Sequence, residues 1–213
     1  KNVLALSIAA MIGGLGFAGV ASADVVPGTG ATFTATTMNK TDATSLQVSQ
    51  GGIGHSLIVP YFNAQNGNMT VLHVVNTDTA NGKAVKVRFR GALNSDDVLD
   101  FQVFMSPGDV WTAAVSAGSD GVATLTTGDG TCTLPALAKG VPQAFVQDRL
   151  NPAMSAADKA NNTREGYVEI FNMADIPANS ATDSLYTAIK HVNGVAPCTA
   201  SVLNATLVNH TTE

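Results

Sequence analysis

The chain has 213 residues, of which 13% are charged and 6% aromatic, and its formal net charge is −5 at pH 7. This length is sufficient for one substantial domain with a real hydrophobic core. Because the balance is acidic and the basic residues form no stripe, nucleic acid and anionic membrane surfaces are not expected as partners.

A secretory signal is predicted over residues 1–23. Lys1 precedes a long uncharged apolar run, and Ala21-Ser22-Ala23 supplies the small residues that a signal peptidase needs. Several glycines interrupt the run, which argues against a retained transmembrane helix. We therefore expect a secreted or cell-surface protein that begins at Asp24 and has no membrane insertion after cleavage.

Residues 24–50 form a polar, Thr-rich stretch, here called the N-terminal arm. Within it, threonines alternate with two apolar residues in the order Thr32, Phe33, Thr34, Ala35 and Thr36. This period of two favours a short strand, but so little apolar area cannot hold a strand in place. We expect either an unattached arm or an edge strand that needs a partner, with Phe33, Thr34 and Thr36 as its assembly residues.

The stretch GGIGHSLIVPYF resembles the start of a hydrolase nucleophile elbow, with Ser56 in the nucleophile position. The elbow requires glycine two residues after the serine, and Ile58 stands there instead. Pro60 further disfavours the helix that would follow. His55 would lie on the opposite face of a strand from Ser56, and His73 lies mid-strand between apolar neighbours. We therefore predict a strand and no catalytic residue.

Six segments between residues 53 and 126 have the pattern of β-strands: SLIVPYF, MTVLHVV, KAVKVRFR, VLDFQVF, DVWTAAV and VATLT. Asn66-Gly67 and Asn81-Gly82 are typical of type I′ hairpin turns. Pro107-Gly108 and Asp120-Gly121 mark two further turns. Strands at this spacing predict an antiparallel sandwich.

Side-chain alternation predicts how these strands are buried. KAVKVRFR has one face for the core and one wet cationic face, the latter formed by Lys86, Arg88 and Arg90. MTVLHVV is apolar on both faces, which predicts a central strand. Trp111 is predicted to anchor the core, and stacking on a sugar is the alternative.

The C-terminal half mixes helix and strand patterns. MSAADKANN and SATDSLYTAIKHV predict short helices; in the second, Ser180 and Asp183 resemble a capping box and Asn193-Gly194 ends the helix. REGYVEIFNM and ASVLNATLVN predict strands. The fold class expected is mainly β: an antiparallel β-sandwich over residues 51–213, immunoglobulin-like or jelly-roll-like, with one or two short C-terminal helices. HTTE at the end carries no termination signal, so we expect the natural chain to continue.

Cysteines and acidic turns are the remaining candidate sites. Cys132 and Cys198 are expected to form a disulfide in an oxidising compartment, because neither has a Cys or His at metal-ligand spacing. No cofactor is expected. The alternative is a structural Ca²⁺ on the turn carboxylates Asp78, Asp96 and Asp97, although none of them lies in an EF-hand loop and ordinary turns use the same residues.

Three segments carry a resemblance to known proteins: the stretch from GGIGHSLIVPYF to SPGDVWTAAV, then REGYVEIFNMADIP, then AIKHVNGVAPC. Together they resemble a family of exported proteobacterial proteins labelled "cell surface protein". The resemblance implies surface location and a non-catalytic role, with no ligand and no site residues.

These observations predict a non-catalytic structural protein of the cell surface. We expect a self-assembling subunit of a surface layer, sheath or extracellular filament, in which strand addition joins one copy to the next. The partner is therefore a second copy of the chain. An adhesin or carbohydrate-binding module is the alternative.

Overall fold

The computed structural model describes residues 48–49 and 51–208. The predicted signal segment and nearly all of the N-terminal arm, including Phe33, Thr34 and Thr36, lie outside the described residues.

Nine strands and three short helices occupy the described part of the chain. The strands are β1 (Ser56–Asn63), β2 (Thr70–Val75), β3 (Gly82–Gly91), β4 (Asp97–Met105), β5 (Val110–Ala117), β6 (Ala123–Thr126), β7 (Cys132–Leu134), β8 (Gln143–Ala144) and β9 (Glu165–Ile176). The helices are α1 (Ala156–Thr163), α2 (Leu185–Ile189) and α3 (Ala200–Val208).

The strands form two antiparallel sheets. The five-stranded sheet has the order β1-β9-β3-β4-β7, and the four-stranded sheet has the order β2-β5-β6-β8. Their facing sides enclose the main core, and the helices lie in the C-terminal half. The predicted antiparallel β-sandwich is thus confirmed.

Aromatic rings fill the centre of the main core. The Phe89 ring centroid lies 5.1 Å from that of Phe145 and 5.4 Å from that of Phe62. The fully buried Trp111 packs 5.5 Å from Phe101, across the two sheets. Trp111 is therefore a core anchor, as predicted, and its ring is not available to a sugar.

The alternation in β3 is confirmed, but the prediction that MTVLHVV is a central strand is wrong. Val85, Val87 and Phe89 are buried. β2 lies at the edge of the four-stranded sheet, where Leu72 and Val74 point inward while the side chains of Val71, His73 and Val75 are exposed. A strand with apolar residues on its exposed face has the same sequence pattern as a strand that is buried on both faces, so the pattern predicts the wrong position here.

The two predicted Asn-Gly hairpins are also wrong. Asn66 and Gly67 have positive φ (54° and 79°) as a type I′ turn requires, yet the turn carries the chain from one sheet to the other. Gly82 starts β3 without a positive φ. A Cβ on Gly82 would lie 2.8 Å from Ile189 Cδ1 and 2.9 Å from the Met105 carbonyl oxygen, so glycine permits close packing there.

The C-terminal predictions hold in part. α1 is confirmed, whereas α2 is capped by Ser184 and not by Ser180. The helix ends at Ile189, and Asn193-Gly194 instead makes a tight turn. The segment predicted as a final strand is helix α3, because a short run of Val, Leu, Ala and Thr suits either state and packing decides between them.

A second apolar cluster attaches the C-terminal segment to the five-stranded sheet. It joins Ala84, Phe104, Ala174 and Ile176 of the sheet to Leu185, Ile189 and Leu203 of α2 and α3. The predicted disulfide is present beside it, with Cys132 and Cys198 Cα atoms 5.3 Å apart and 66 positions apart in sequence. In the chain-entropy model, closing such a loop stabilises the fold by about 4 kcal/mol.

Replacing Trp111 by Ala should lower the free energy of unfolding by about 3–5 kcal/mol, because it leaves a large cavity between the sheets. Urea denaturation followed by far-UV circular dichroism measures this change. The control Leu93→Ala, at an exposed loop position, should shift stability by less than about 0.5 kcal/mol. Equal effects of the two variants would contradict the core role of Trp111.

Replacing both Cys132 and Cys198 by Ala should lower the free energy of unfolding by up to about 4 kcal/mol, because the unfolded chain gains the entropy of an open loop. The same denaturation experiment measures it. Wild-type protein in excess reductant is the matched control and should unfold at the same urea concentration as the double variant. A midpoint equal to that of the oxidised wild type would refute this prediction.

Candidate functional site

The edges of the two sheets meet on one side of the sandwich, here called the open flank and formed by β1 and β2. The Asn63 N–H donates to Thr70 Oγ1 (2.8 Å), and Thr70 Oγ1 donates to the Asn63 carbonyl oxygen (3.1 Å). These bonds hold the end of β1 beside the beginning of β2. On this side β1 and β2, of eight and six residues, are the edge strands of the two sheets, and in the described part each has a strand partner on one side only.

The opposite side of the sandwich is closed. Its edge strands, β7 and β8, have three and two residues. After β8, the Phe145 N–H donates to the Ala123 carbonyl oxygen of β6 (2.8 Å) and the Val146 N–H donates to that of Val98 in β4 (2.7 Å). One segment thus hydrogen-bonds to both sheets, and the disulfide holds β7. Among the strands that the structure describes, only those of the open flank offer long edges to a partner.

Exposed apolar side chains line the open flank. The most exposed are Ile58 (68%), Met69 (62%) and Tyr61 (55%), with Val71 and Val75 close behind. Ile58 lies on the outer face of the five-stranded sheet, and Val71 and Val75 lie on that of the four-stranded sheet, so each of the two edge strands carries apolar side chains that a partner could cover.

Charge is divided unequally between the sheets. The strands of the four-stranded sheet contain no Asp, Glu, Lys or Arg. Its outer face carries Val, Thr, Ala, Ser and one histidine. The five-stranded sheet carries all the charged strand residues. The two outer faces therefore suit different surroundings.

The predicted wet cationic face of β3 is largely paired with acids. Lys86 lies 3.0 Å from Asp100, and Arg90 Nε lies 3.0 Å from Glu169. Lys83 lies 2.7 Å from Asp175 and 2.9 Å from Asp78. These ion pairs cross from β3 to its neighbours, so this face is not a free cationic surface.

Asp78 is the most strongly held carboxylate of this group. Burial by itself raises its pKa, but hydrogen bonds from Lys83, from the N–H groups of Asn81 and Ala80 and from the Asn81 amide hold the pKa of Asp78 far below its usual value. Burial by itself lowers the pKa of Lys83, and Asp175 and Asp78 together raise it above the ordinary value. The pair fixes the loop before β3.

A cluster of Ser106, Asp109 and His191, which sequence reasoning missed, has the residue types of a hydrolytic triad. Ser106 Oγ lies 3.1 Å from His191 Nδ1, and Asp109 Oδ2 lies 3.6 Å from the same nitrogen. A relay needs the serine and the carboxylate on different ring nitrogens. Both contact Nδ1, so this geometry does not pass a proton from Ser106 to Asp109.

This cluster instead fixes loops. Asp109 Oδ2 also accepts from the Ser106 N–H and from Thr131 Oγ1, both at 3.2 Å. Pro107-Gly108 forms the predicted turn, with Gly108 at φ 70° and the Asp109 N–H donating to the Ser106 carbonyl oxygen (3.1 Å). The SPGD motif signals this turn, but nothing local places His191 against it.

The residues weighed for catalysis do not come together. Ser56 starts β1 opposite Phe171, and the His55 carbonyl oxygen accepts from the Asn172 N–H (2.7 Å). His73 lies mid-strand, as predicted, but it is exposed, opposite Thr112 in the neighbouring strand β5.

The calcium candidates lie at two distant places. Asp78 precedes β3, and Asp96 and Asp97 follow it, so the ten-residue strand separates them by about 30 Å. Asp97 pairs with Arg149 at 2.7 Å, while Asp78 already holds Lys83. Among the residues that the structure describes, no three His, Cys, Asp or Glu side chains are grouped as a metal site requires.

A small cavity of about 190 Å³ lies between β4 and the segment 135–149. It is lined by Leu99, Asp100, Phe101, Pro135, Leu137, Gln143, Val146 and Arg149. Ligand pockets usually measure about 300–1,000 Å³, so this cavity is a weaker candidate than the open flank.

Within the described ranges, no helix combines the length and the apolar character needed to cross a bilayer. No protein-family model matches the chain, and neither a curated protein nor a solved structure is detectably similar to it.

Replacing Asp78 by Asn should lower the free energy of unfolding at pH 7 by about 1 kcal/mol, a value reduced for solvent screening. Because its pKa is depressed in the folded protein, Asp78 stabilises the fold above about pH 4, and this stabilisation is lost as the pH falls further. The variant should therefore lose less stability than wild type between pH 5 and pH 2, as measured by urea denaturation. The control Asp183→Asn, at an exposed position, should follow the wild-type curve; a D78N curve parallel to wild type would contradict the assignment.

Proposed function

We propose that the protein is an exported, non-catalytic structural subunit that builds a layer, sheath or filament at the cell surface by strand addition between copies. The open flank carries this proposal. A long free strand edge is a template for pairing with another chain, and most proteins shorten, charge or cover such edges. Here two long edges belong to the same flank, with Ile58 and Tyr61 exposed on β1 and Val71 and Val75 exposed on β2.

The remainder of the molecule supports this role. Disulfides persist mainly in oxidising compartments, which agrees with the export that the predicted signal segment implies. The polar clusters around Asp78 and Asp109 join loops to strands by ion pairs and hydrogen bonds. These contacts make that end of the sandwich rigid, as a structural subunit requires.

The N-terminal arm supplies the second half of the contact. Its apolar content is too small for it to fold by itself, yet it alternates as a strand does. If the arm of one copy adds to the open flank of the next, each copy both gives and receives a strand. Such a head-to-tail contact repeats into open polymers.

Secreted full-length protein should appear as filaments or sheets in negative-stain electron microscopy, and a variant lacking residues 24–50 should remain as single particles. Because residues 56–176 supply all the strands of both described sheets, that variant should keep the β spectrum in circular dichroism. The control replaces residues 24–50 by a Gly/Ser linker of equal length and should also fail to assemble. Assembly of either variant, or single particles in the wild type, would contradict the proposal. Saturable sugar binding on a glycan array would favour an adhesin instead.

A further inference from the structure

The backbone of β2 presents three regularly spaced binding positions to the open flank. The Asn76 N–H donates to the Asp109 carbonyl oxygen (2.9 Å), in the same register that pairs Val74 with Trp111 and Leu72 with Ala113. In an antiparallel ladder, alternate residues bond to the same neighbour. The even-numbered residues of β2 therefore bond to β5, and the N–H and C=O groups of Val71, His73 and Val75 point away from it.

The edge of β1 is less suited to receive a strand. The Asn172 N–H donates to the His55 carbonyl oxygen, so by the same alternation Ser56 and Ile58 direct their backbone groups outward. Beyond Ile58, the register shifts between Val59 and Phe62, and Pro60 has no N–H to donate. Proline and irregular pairing are the means by which proteins block an edge. β1 therefore offers a shorter edge than β2.

The side chains around β2 match the arm in character. Val71, His73 and Val75 continue the uncharged outer face of the four-stranded sheet, next to Thr112 and Ala114 of β5. A strand over residues 31–36 would place Thr32, Thr34 and Thr36 on that face, opposite Val75, His73 and Val71. Cross-strand pairs of β-branched residues stabilise a sheet.

The other face of residues 31–36 is apolar and therefore suits the interior of the sandwich beside β2. Phe33 and Ala35 would point inward, beside the layer of Leu72 and Val74. Leu57 and Val59 of β1, at the edge of the facing sheet, are only partly buried against the main core, which leaves apolar surface on this flank for an added Phe to cover. The segment has no charged residue, which agrees with a sheet that has none.

The reach of the arm is sufficient for this contact. Residues 37–50 link the segment to the described chain and span up to about 45 Å when extended. For comparison, the longest described strand, β9, has 12 residues and is about 40 Å long, which gives the size of one molecule. An arm can therefore cross from one molecule to β2 of a neighbour beside it.

We propose that β2 is the acceptor strand and that residues 31–36 of a second copy add to it antiparallel, with Thr34 opposite His73. This inference rests on the proposed function and assigns its contact to one edge and one segment. The donor segment becomes a fifth strand of the uncharged sheet.

Proline substitutions in the full-length protein test this assignment. His73→Pro removes an outward N–H of β2 and no bond to β5, and Ile58→Pro makes the matched change on β1. Thr34→Pro removes the N–H that would donate to His73. Thermal unfolding checks that each variant is folded, and Val71→Pro replaces His73→Pro if the latter unfolds. Analytical ultracentrifugation measures the concentration at which half the protein assembles.

H73P and T34P should each raise that concentration at least about tenfold, and I58P should leave it unchanged. Mixed at equal amounts, H73P and T34P should form dimers that do not grow, because only the arm of H73P and the β2 edge of T34P are intact. This result is not expected from a general loss of stability.

Other results would overturn the assignment in distinguishable ways. Assembly that is lost in I58P and kept in H73P makes β1 the acceptor and leaves the proposed function standing. Discrete dimers that depend on His73 and not on Thr34 mean that two β2 edges pair with each other. A monomeric wild type that T34P destabilises means that the arm adds to its own β2, and both the inference and the proposed function then fail.

Discussion

The constraint on which this structure depends is that a strand at the edge of a sheet satisfies only half of its backbone groups within the sheet. In β3, which lies between β9 and β4, the backbone groups have a neighbouring strand to bond with on both sides. In β1 and β2, alternate groups point out of the sandwich. Water can satisfy these groups, but another strand does so with regular geometry and brings side chains that cover apolar surface. The open flank follows from this constraint and from the order of the strands.

The two flanks differ because the chain uses its C-terminal half to close only one of them. The segment after β8 bonds to both sheets, and the disulfide ties β7 to the residues before α3. The second apolar cluster then packs α2 and α3 on the outside of the five-stranded sheet. No described residue does the same for β1 and β2. A molecule with one closed and one open flank presents two different sides, and a head-to-tail contact requires two different surfaces.

The unequal distribution of charge between the two sheets also favours one edge of the open flank over the other. Ion pairs such as Lys86–Asp100 and Arg90–Glu169 lie across neighbouring strands of the five-stranded sheet, where they help fix its register and keep its outer face hydrated. The four-stranded sheet has no charge to desolvate. Extending that sheet by a strand therefore costs little electrostatic free energy. A strand added to β1 would instead lie beside the charge of Glu165 and would find no N–H donor at Pro60.

Local features of the fold can be predicted from the amino-acid sequence. Alternation predicts the buried Val85, Val87 and Phe89, the composition around Pro107-Gly108 predicts a turn, and two cysteines in a chain with a predicted signal segment predict the disulfide. Each of these depends on the burial of one side chain, the φ of one residue or the chemistry of one pair. Of the proposed contact, the sequence indicates only the donor: the Thr-rich arm alternates as a strand does, whereas the pattern of MTVLHVV predicts that β2 lies at the centre of a sheet.

Which strands lie at the edges of the sheets depends on the packing of the whole chain. Asn66-Gly67 adopts the turn that its residues favour, yet nothing local says that the turn passes from one sheet to the other. Likewise, ASVLNATLV suits strand or helix, and packing of Leu203 against the outside of the sheet selects the helix. His191 meets Asp109 because the disulfide and α2 bring distant segments together. Strand order depends on contacts between residues far apart in sequence, which side-chain periodicity does not encode, because a period of two is the same at the edge of a sheet and at its centre.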